Sequence, residues 1–158
     1  MNTLIAFTTR HGCTEDAAHT LAELLGGDVT LVNLKKNRKP DLSQYDTVIL
    51  GGSIHVGKIQ SQMRKFVEKN LETLMKKQVG LYVCCMEENQ AQQQFDNAFP
   101  EELRKHAAAK SIFGGAFNFE RMNFLERKII QKIANVSESV FKIDDDEIKR
   151  FAQILKGN

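Results

Sequence analysis

Short apolar runs alternate along the chain with apolar stripes at helical spacing. Residues 3–8 form the first run, and from Thr14 the period changes. Ala17, Leu21, Leu24 and Leu25 then share one helical face, with Glu15 and Asp16 in the first turn, where the helix dipole favours acids. Gly26 and Gly27 stop that helix. Residues 29–34 predict a second strand, followed by a polar loop over 35–43. Residues 45–52 predict a third strand that runs into glycines, and Met63, Phe66, Val67, Leu71, Leu74 and Met75 mark the next helix. Residues 79–85 are almost continuously apolar, as a central parallel strand covered on both faces must be. A polar loop over 87–94 follows. Pro100 interrupts the helical pattern between Phe95 and Ala109, which predicts two short helices there. Residues 111–117 predict a fifth strand. Met122, Leu125, Ile129, Ile130 and Ile133 mark one closing helix, and Ile148, Phe151, Ala152 and Leu155 the other, with Asp144 as its N-cap.

Strands alternating with helices imply an α/β fold, a doubly wound parallel sheet with right-handed crossovers and helices on both faces. The 158 residues fit one domain, 1–158, with no repeat or linker. A hydrophobic share of 42% against 27% charged residues supports a buried core and argues against disorder. No apolar stretch approaches the roughly 20 residues of a membrane-spanning helix. The first residues read as a strand, not a signal peptide. Cys13, Cys84 and Cys85 are too few for a disulfide framework and lack metal-knuckle spacing, so a reducing cytoplasm is the expected compartment. A net charge of +2 is too balanced to imply nucleic acid.

In such sheets ligands bind beyond the carboxyl ends of the strands, where strand order reverses. Three loops leave adjacent strands there. In the first, Thr9, Arg10, His11, Gly12, Cys13 and Thr14 run straight into a helix. Two hydroxyls, a glycine and the free amides of a helix start make a phosphate cradle. Neither the Gly-Lys-Ser/Thr of a P-loop nor Gly-x-Gly-x-x-Gly is present. In the second, Gly51 and Gly52 precede Ser53, Ile54, His55, Val56 and Gly57, small and flat residues that let a planar ring approach the backbone. In the third, Cys85, Met86, Glu87 and Asn89 follow the fourth strand.

Thr9-x-His11-Gly12-x-Thr14 resembles the flavodoxin phosphate loop, Ser/Thr-x-Thr-Gly-x-Thr, with His11 at the middle threonine. Residues 4–12, 45–57 and 114–117 resemble more closely the flavodoxin-type, quinone-dependent protoporphyrinogen IX dehydrogenases, a family of haem biosynthesis. The resemblance implies a flavodoxin-like sheet of order 2-1-3-4-5 and FMN as cofactor. It also implies an oxidoreductase that moves reducing equivalents from a small-molecule substrate to a quinone or a redox protein. The FMN phosphate is expected among the amides of residues 10–14, with Thr9 and Thr14 hydroxyls as donors. Two other readings compete. A small flavodoxin electron carrier would usually be strongly acidic, and +2 counts against it. An apo binding module would not need Thr9, Gly12 and Thr14.

Other tempting residues have structural explanations. Cys13 sits at a helix start, where a thiol pKa falls, while Cys84 and Cys85 read as packing. His55 lies in the ring loop and can reach flavin or substrate. The acids 144–147 read as helix capping. No residue is nominated for proton transfer. The helix within 119–135 opposes its apolar face to Arg121, Arg127, Lys128 and Lys132. Two placements stay open for it, packing on the sheet as a fourth major helix or lying on an anionic membrane from the cytoplasmic side.

Overall fold

Apolar residues at alternating positions of a strand face opposite sides, so a strand apolar throughout needs a helical layer on each face. The computed structural model, which describes residues 1–136 and 138–157, has this form. Strands β1 (Asn2–Phe7), β2 (Asp28–Asn33), β3 (Thr47–His55), β5 (Gln78–Cys84) and β6 (Ala109–Ile112) pair in parallel, in the order β2-β1-β3-β5-β6. That is the expected 2-1-3-4-5 arrangement, since β4 (Lys58–Ile59) is only a short antiparallel return on the end of β3.

Alternation along the strands builds two cores. Leu4, Ala6, Leu50 and Leu81 face α2 (Ser61–Leu74), α3 (Ala91–Ala98) and α4 (Glu101–His106), meeting Met63, Phe66, Phe95 and Leu103. Ile5, Phe7, Ile49 and Tyr82 face α1 (Cys13–Leu25) and α6 (Asp145–Lys156), meeting Leu21 and Phe151. The punctuation is local. Gly26 ends α1 at φ 64°, its N–H donating to the Ala22 carbonyl at 3.1 Å. Pro100 separates α3 from α4 as expected. Asp144 caps α6 by accepting from the Glu147 N–H at 3.0 Å, a contact worth about 1 kcal/mol.

Four expectations are corrected. The third strand does not stop at Gly52 but continues to His55, because β4 folds back to pair with it. The polar stretch 87–94 is not all loop, since a 3-10 turn over Glu88–Gln90 leads straight into α3. The fifth strand breaks at Phe113. Gly114 at φ 77° turns the chain out of the sheet, and β7 (Gly114–Phe117) pairs antiparallel with β8 (Val140–Ile143). A side chain at Gly114 would strike the Lys142 carbonyl. Finally, α5 (Phe124–Ala134) buries none of its residues, so it is not a sheet-packing helix. Leu125 and Ile133 are 67% and 76% exposed.

Candidate functional site

The carboxyl ends of β1, β3 and β5 converge at the point where strand order reverses, which is where this sheet leaves room for a ligand. The chain leaves β1 through Thr8, whose N–H donates to the Gly51 carbonyl at 2.9 Å and whose hydroxyl donates to Gln60 Oε1 at 2.7 Å. Gln60 also accepts from the Ser53 N–H at 3.2 Å, so a single amide side chain ties the first loop to the second. Gly12 then caps α1 at φ 92°, a left-handed conformation that glycine adopts without strain. No side chain caps the helix at that residue.

Two hydroxyls sit at this helix start. Thr9 Oγ1 accepts the Gly12 N–H at 2.9 Å, which leaves its own proton to donate. Thr14 is fully buried, and its Oγ1 has no hydrogen-bond partner of normal geometry, although it lies beside the weakly polar Cys84 thiol. An unpaired buried hydroxyl costs free energy unless an acceptor reaches it. Together with the first-turn amides, this donor set suits a phosphate.

A cleft of about 90 Å³ opens beside the loop. Of the residues singled out in the sequence, Thr9, Arg10, His11, Cys13, Ser53, Ile54, His55, Cys85 and Met86 line it. Gly12 and Thr14 lie outside its wall. Val56 and Gly57 form an exposed turn between β3 and β4, with Val56 at φ 51°, and Glu87 and Asn89 are exposed beyond β5. The two glycines of the second loop do not make room for a ligand ring. A Cβ at Gly51 would collide with the Tyr82 ring, and one at Gly52 with Ile59. The planar group that needs Gly51 is therefore the chain's own tyrosine.

The cleft also has a wall that sequence reasoning missed. Gly115 and Ala116 of β7, with Met122 and Ile130 from the α5 region, close it opposite the loop. Ion pairs fasten this wall. Glu126 Oε2 accepts from Arg10 Nε at 3.1 Å and lies 2.9 Å from His11 Nε2, while His11 Nδ1 is 3.2 Å from the Arg121 carbonyl oxygen. Burial pushes the Glu126 carboxyl up. The Arg10 hydrogen bond and the charges of His11 and Arg10 outweigh it and hold the group below its ordinary range. Pairs this exposed contribute only about 0–1 kcal/mol each, so the wall is lightly fastened. Because the contacts join residues more than 100 positions apart, no local pattern could have announced them.

An imidazole and three thiols also line the cleft. Partial burial, reinforced by Arg10 and His11 and opposed by Glu126, holds His55 below the ordinary histidine value. It is a neutral imidazole at neutral pH, able to donate at one nitrogen and accept at the other. Cys13 and Cys84 touch. The Cys84 contact lowers the Cys13 thiol, against burial and Asp16, while the same contact and burial push Cys84 well up. Cys85 donates to Gln94 Oε1 at 2.8 Å. Cys84 packs in the core beside Tyr82, as expected for a strand end.

The flavodoxin domain family matches residues 4–143. Over 169 aligned residues the chain is 25% identical to the protoporphyrinogen IX dehydrogenase (quinone) of Escherichia coli, covering 97% of this chain and 93% of that protein. Among solved structures, flavodoxin 1 of Bacillus cereus superposes with a TM-score of 0.60 at 16% identity, over 100% of this chain and 99% of that one. Rubredoxin oxygen:oxidoreductase of Desulfovibrio gigas superposes with a TM-score of 0.61 at 15% identity, over 99% of this chain. The chain spans 36% of that larger protein.

Proposed function

The chain belongs to the flavodoxin domain family, and on that premise we propose that it is an FMN oxidoreductase that passes reducing equivalents from a small organic substrate to a quinone-like acceptor. One observation carries this reading. The buried, unpaired Thr14 hydroxyl and the Thr9 hydroxyl stand at an uncapped helix start, at the switch point of the sheet. Bound FMN would supply the hydride or electron transfer. The chain's own residues do the rest. The amides of residues 10–14 and the two hydroxyls hold the phosphate. His55 offers a neutral imidazole beside the cleft, and Met122 and Ile130 make the opposite wall apolar and exclude water.

Ligand pockets usually measure about 300–1,000 Å³, far more than the present cleft of about 90 Å³. This reading asks the lightly fastened α5 wall to move outward on binding. The dehydrogenase likeness favours an enzyme over an electron carrier, and the +2 charge points the same way. The purified protein is expected to be yellow, or to take up added FMN with quenching of its fluorescence, and to be bleached anaerobically by its reductant. A colourless protein that takes up no FMN overturns both the enzyme and the carrier readings and leaves the apo binding module.

The exposed face of α5 favours a cytoplasmic protein in peripheral contact with an anionic membrane. Phe124, Leu125, Ile129 and Ile133 face solvent, with Lys128 and Lys132 on the same helix. Four basic and two acidic side chains over residues 119–135 leave a net +2, an attraction of about 1 kcal/mol per net charge at an anionic surface. No described helix is long and apolar enough to cross a membrane. Co-sedimentation with anionic vesicles should exceed that with neutral ones at low salt and fall in Leu125→Glu. Equal binding to both vesicle types would rule out the contact.

A further inference from the structure

The turn that leads into α5 reaches across the fold and lays a guanidinium on the phosphate loop. Phe119 and Met122 are buried on either side of Arg121. Asn118 caps the turn by accepting from the Glu120 N–H at 3.2 Å, and Arg127 Nη2 donates to the Phe119 carbonyl. Between these anchors Arg121 stays half-exposed. Its Nη1 donates to the His11 carbonyl and to Asp16 Oδ2, both at 3.2 Å. It lies so close over Gly12 that any Cβ there would collide with it. Glycine thus lets the cation rest on the start of α1.

We propose that Arg121 is the charged ligand of the FMN phosphate, exchanging Asp16 and the His11 carbonyl for phosphate oxygens, and that this contact selects FMN over riboflavin. The inference rests on the FMN reading above and adds to it a residue 107 positions beyond Thr14. The loop itself is short of free cations. Arg10 is paired with Glu126, and both nitrogens of the His11 ring face acceptors on the α5 wall. Glu15 and Asp16 place negative charge in the first turn of α1, which would repel a phosphate. Arg121 offsets Asp16. Its contacts with His11 and Asp16 both use Nη1, leaving Nε and Nη2 to donate in the planar fork that matches a phosphate. A half-exposed arginine–aspartate pair is weakly held and exchanges readily for a dianion. The buried Thr14 hydroxyl in the same turn has only the Cys84 thiol beside it and no hydrogen-bond partner of normal geometry.

The test is fluorescence titration of the apo-protein with FMN and with riboflavin, for the native chain, Arg121→Gln and Arg121→Lys. Melting curves of the three should coincide, since the side chain is half-exposed. Arg121→Gln should weaken FMN binding by about 10- to 100-fold while changing riboflavin binding by less than about twofold, and its FMN affinity should depend less on salt. Arg121→Lys should fall between the two. Unchanged FMN affinity in Arg121→Gln, equal losses for both ligands, or tighter binding of both overturns the assignment. In the first case Arg121 is solvent-facing, in the second a wall, in the third an obstruction. A native chain that binds neither ligand removes the FMN reading, and the assignment falls with it.

Discussion

Tyr82→Ala is expected to lower folding stability by about 3–5 kcal/mol, the range for removing a large aromatic from a closed core. Tyr82 is fully buried, stacks on Phe113 with centroids 4.8 Å apart, and meets Phe151 edge-on at 6.2 Å. Its hydroxyl donates to the Thr14 carbonyl at 2.9 Å, so the same residue links the core to the phosphate loop. Burial holds this phenol protonated, with its pKa well above the ordinary value. Tyr82→Phe separates the two roles. It keeps the packing, leaves the Thr14 carbonyl without that donor, and should cost only about 1 kcal/mol. Urea denaturation of the three chains measures both losses. A Tyr82→Ala loss below 1 kcal/mol would mean that the ring is not part of a closed core.

Thr14→Ala should separate stability from binding. Without ligand the hydroxyl is buried with only the weakly polar Cys84 thiol beside it, so its removal relieves a desolvation cost and leaves the apo-protein as stable as the native chain or up to about 1 kcal/mol more so. With FMN the same change removes a donor to a charged oxygen, worth about 1.5–3 kcal/mol. The dissociation constant should rise about 10- to 150-fold. Thr9→Ala should also weaken binding, through loss of its own donor and of the contact that fixes Gly12. Denaturation of the apo-protein paired with FMN titration checks both signs. Unchanged dissociation constants in both variants would refute the placement of the phosphate at this loop.

The first loop could be picked out of the sequence because its pattern is local. Thr9, Gly12 and Thr14 lie within one turn of chain, and the strand-to-helix change of period beside them fixes where the loop must stand. At Gly51 and Gly52 the expectation of room for a ligand ring is corrected, for an equally physical reason. Adjacent glycines signal a close approach but not the group that approaches, and here that group is Tyr82 on the neighbouring strand. The break at Phe113 was also hidden. Residues 111–117 read as one short apolar run, and only the pairing of β7 with β8 reveals that the chain has left the sheet.

Apolar periodicity, helix caps and the positions of glycine and proline determined the α/β class, the flavodoxin-like motifs implied the strand order, and the two together pointed to the edge of the sheet where a ligand is expected. Each of these depends on residues within a few positions of one another, where propensity and capping act. The tertiary structure alone decided how that edge is enclosed. It brought Glu126 to Arg10 and His11, laid Arg121 on Gly12, and turned α5 outward so that its apolar face is exposed. A helical stripe shows that a face is apolar, but what covers that face depends on where the chain returns after a hundred residues. That return follows from the exit of β7 from the sheet and the anchoring of the turn by Phe119 and Met122, which no short window of sequence contains.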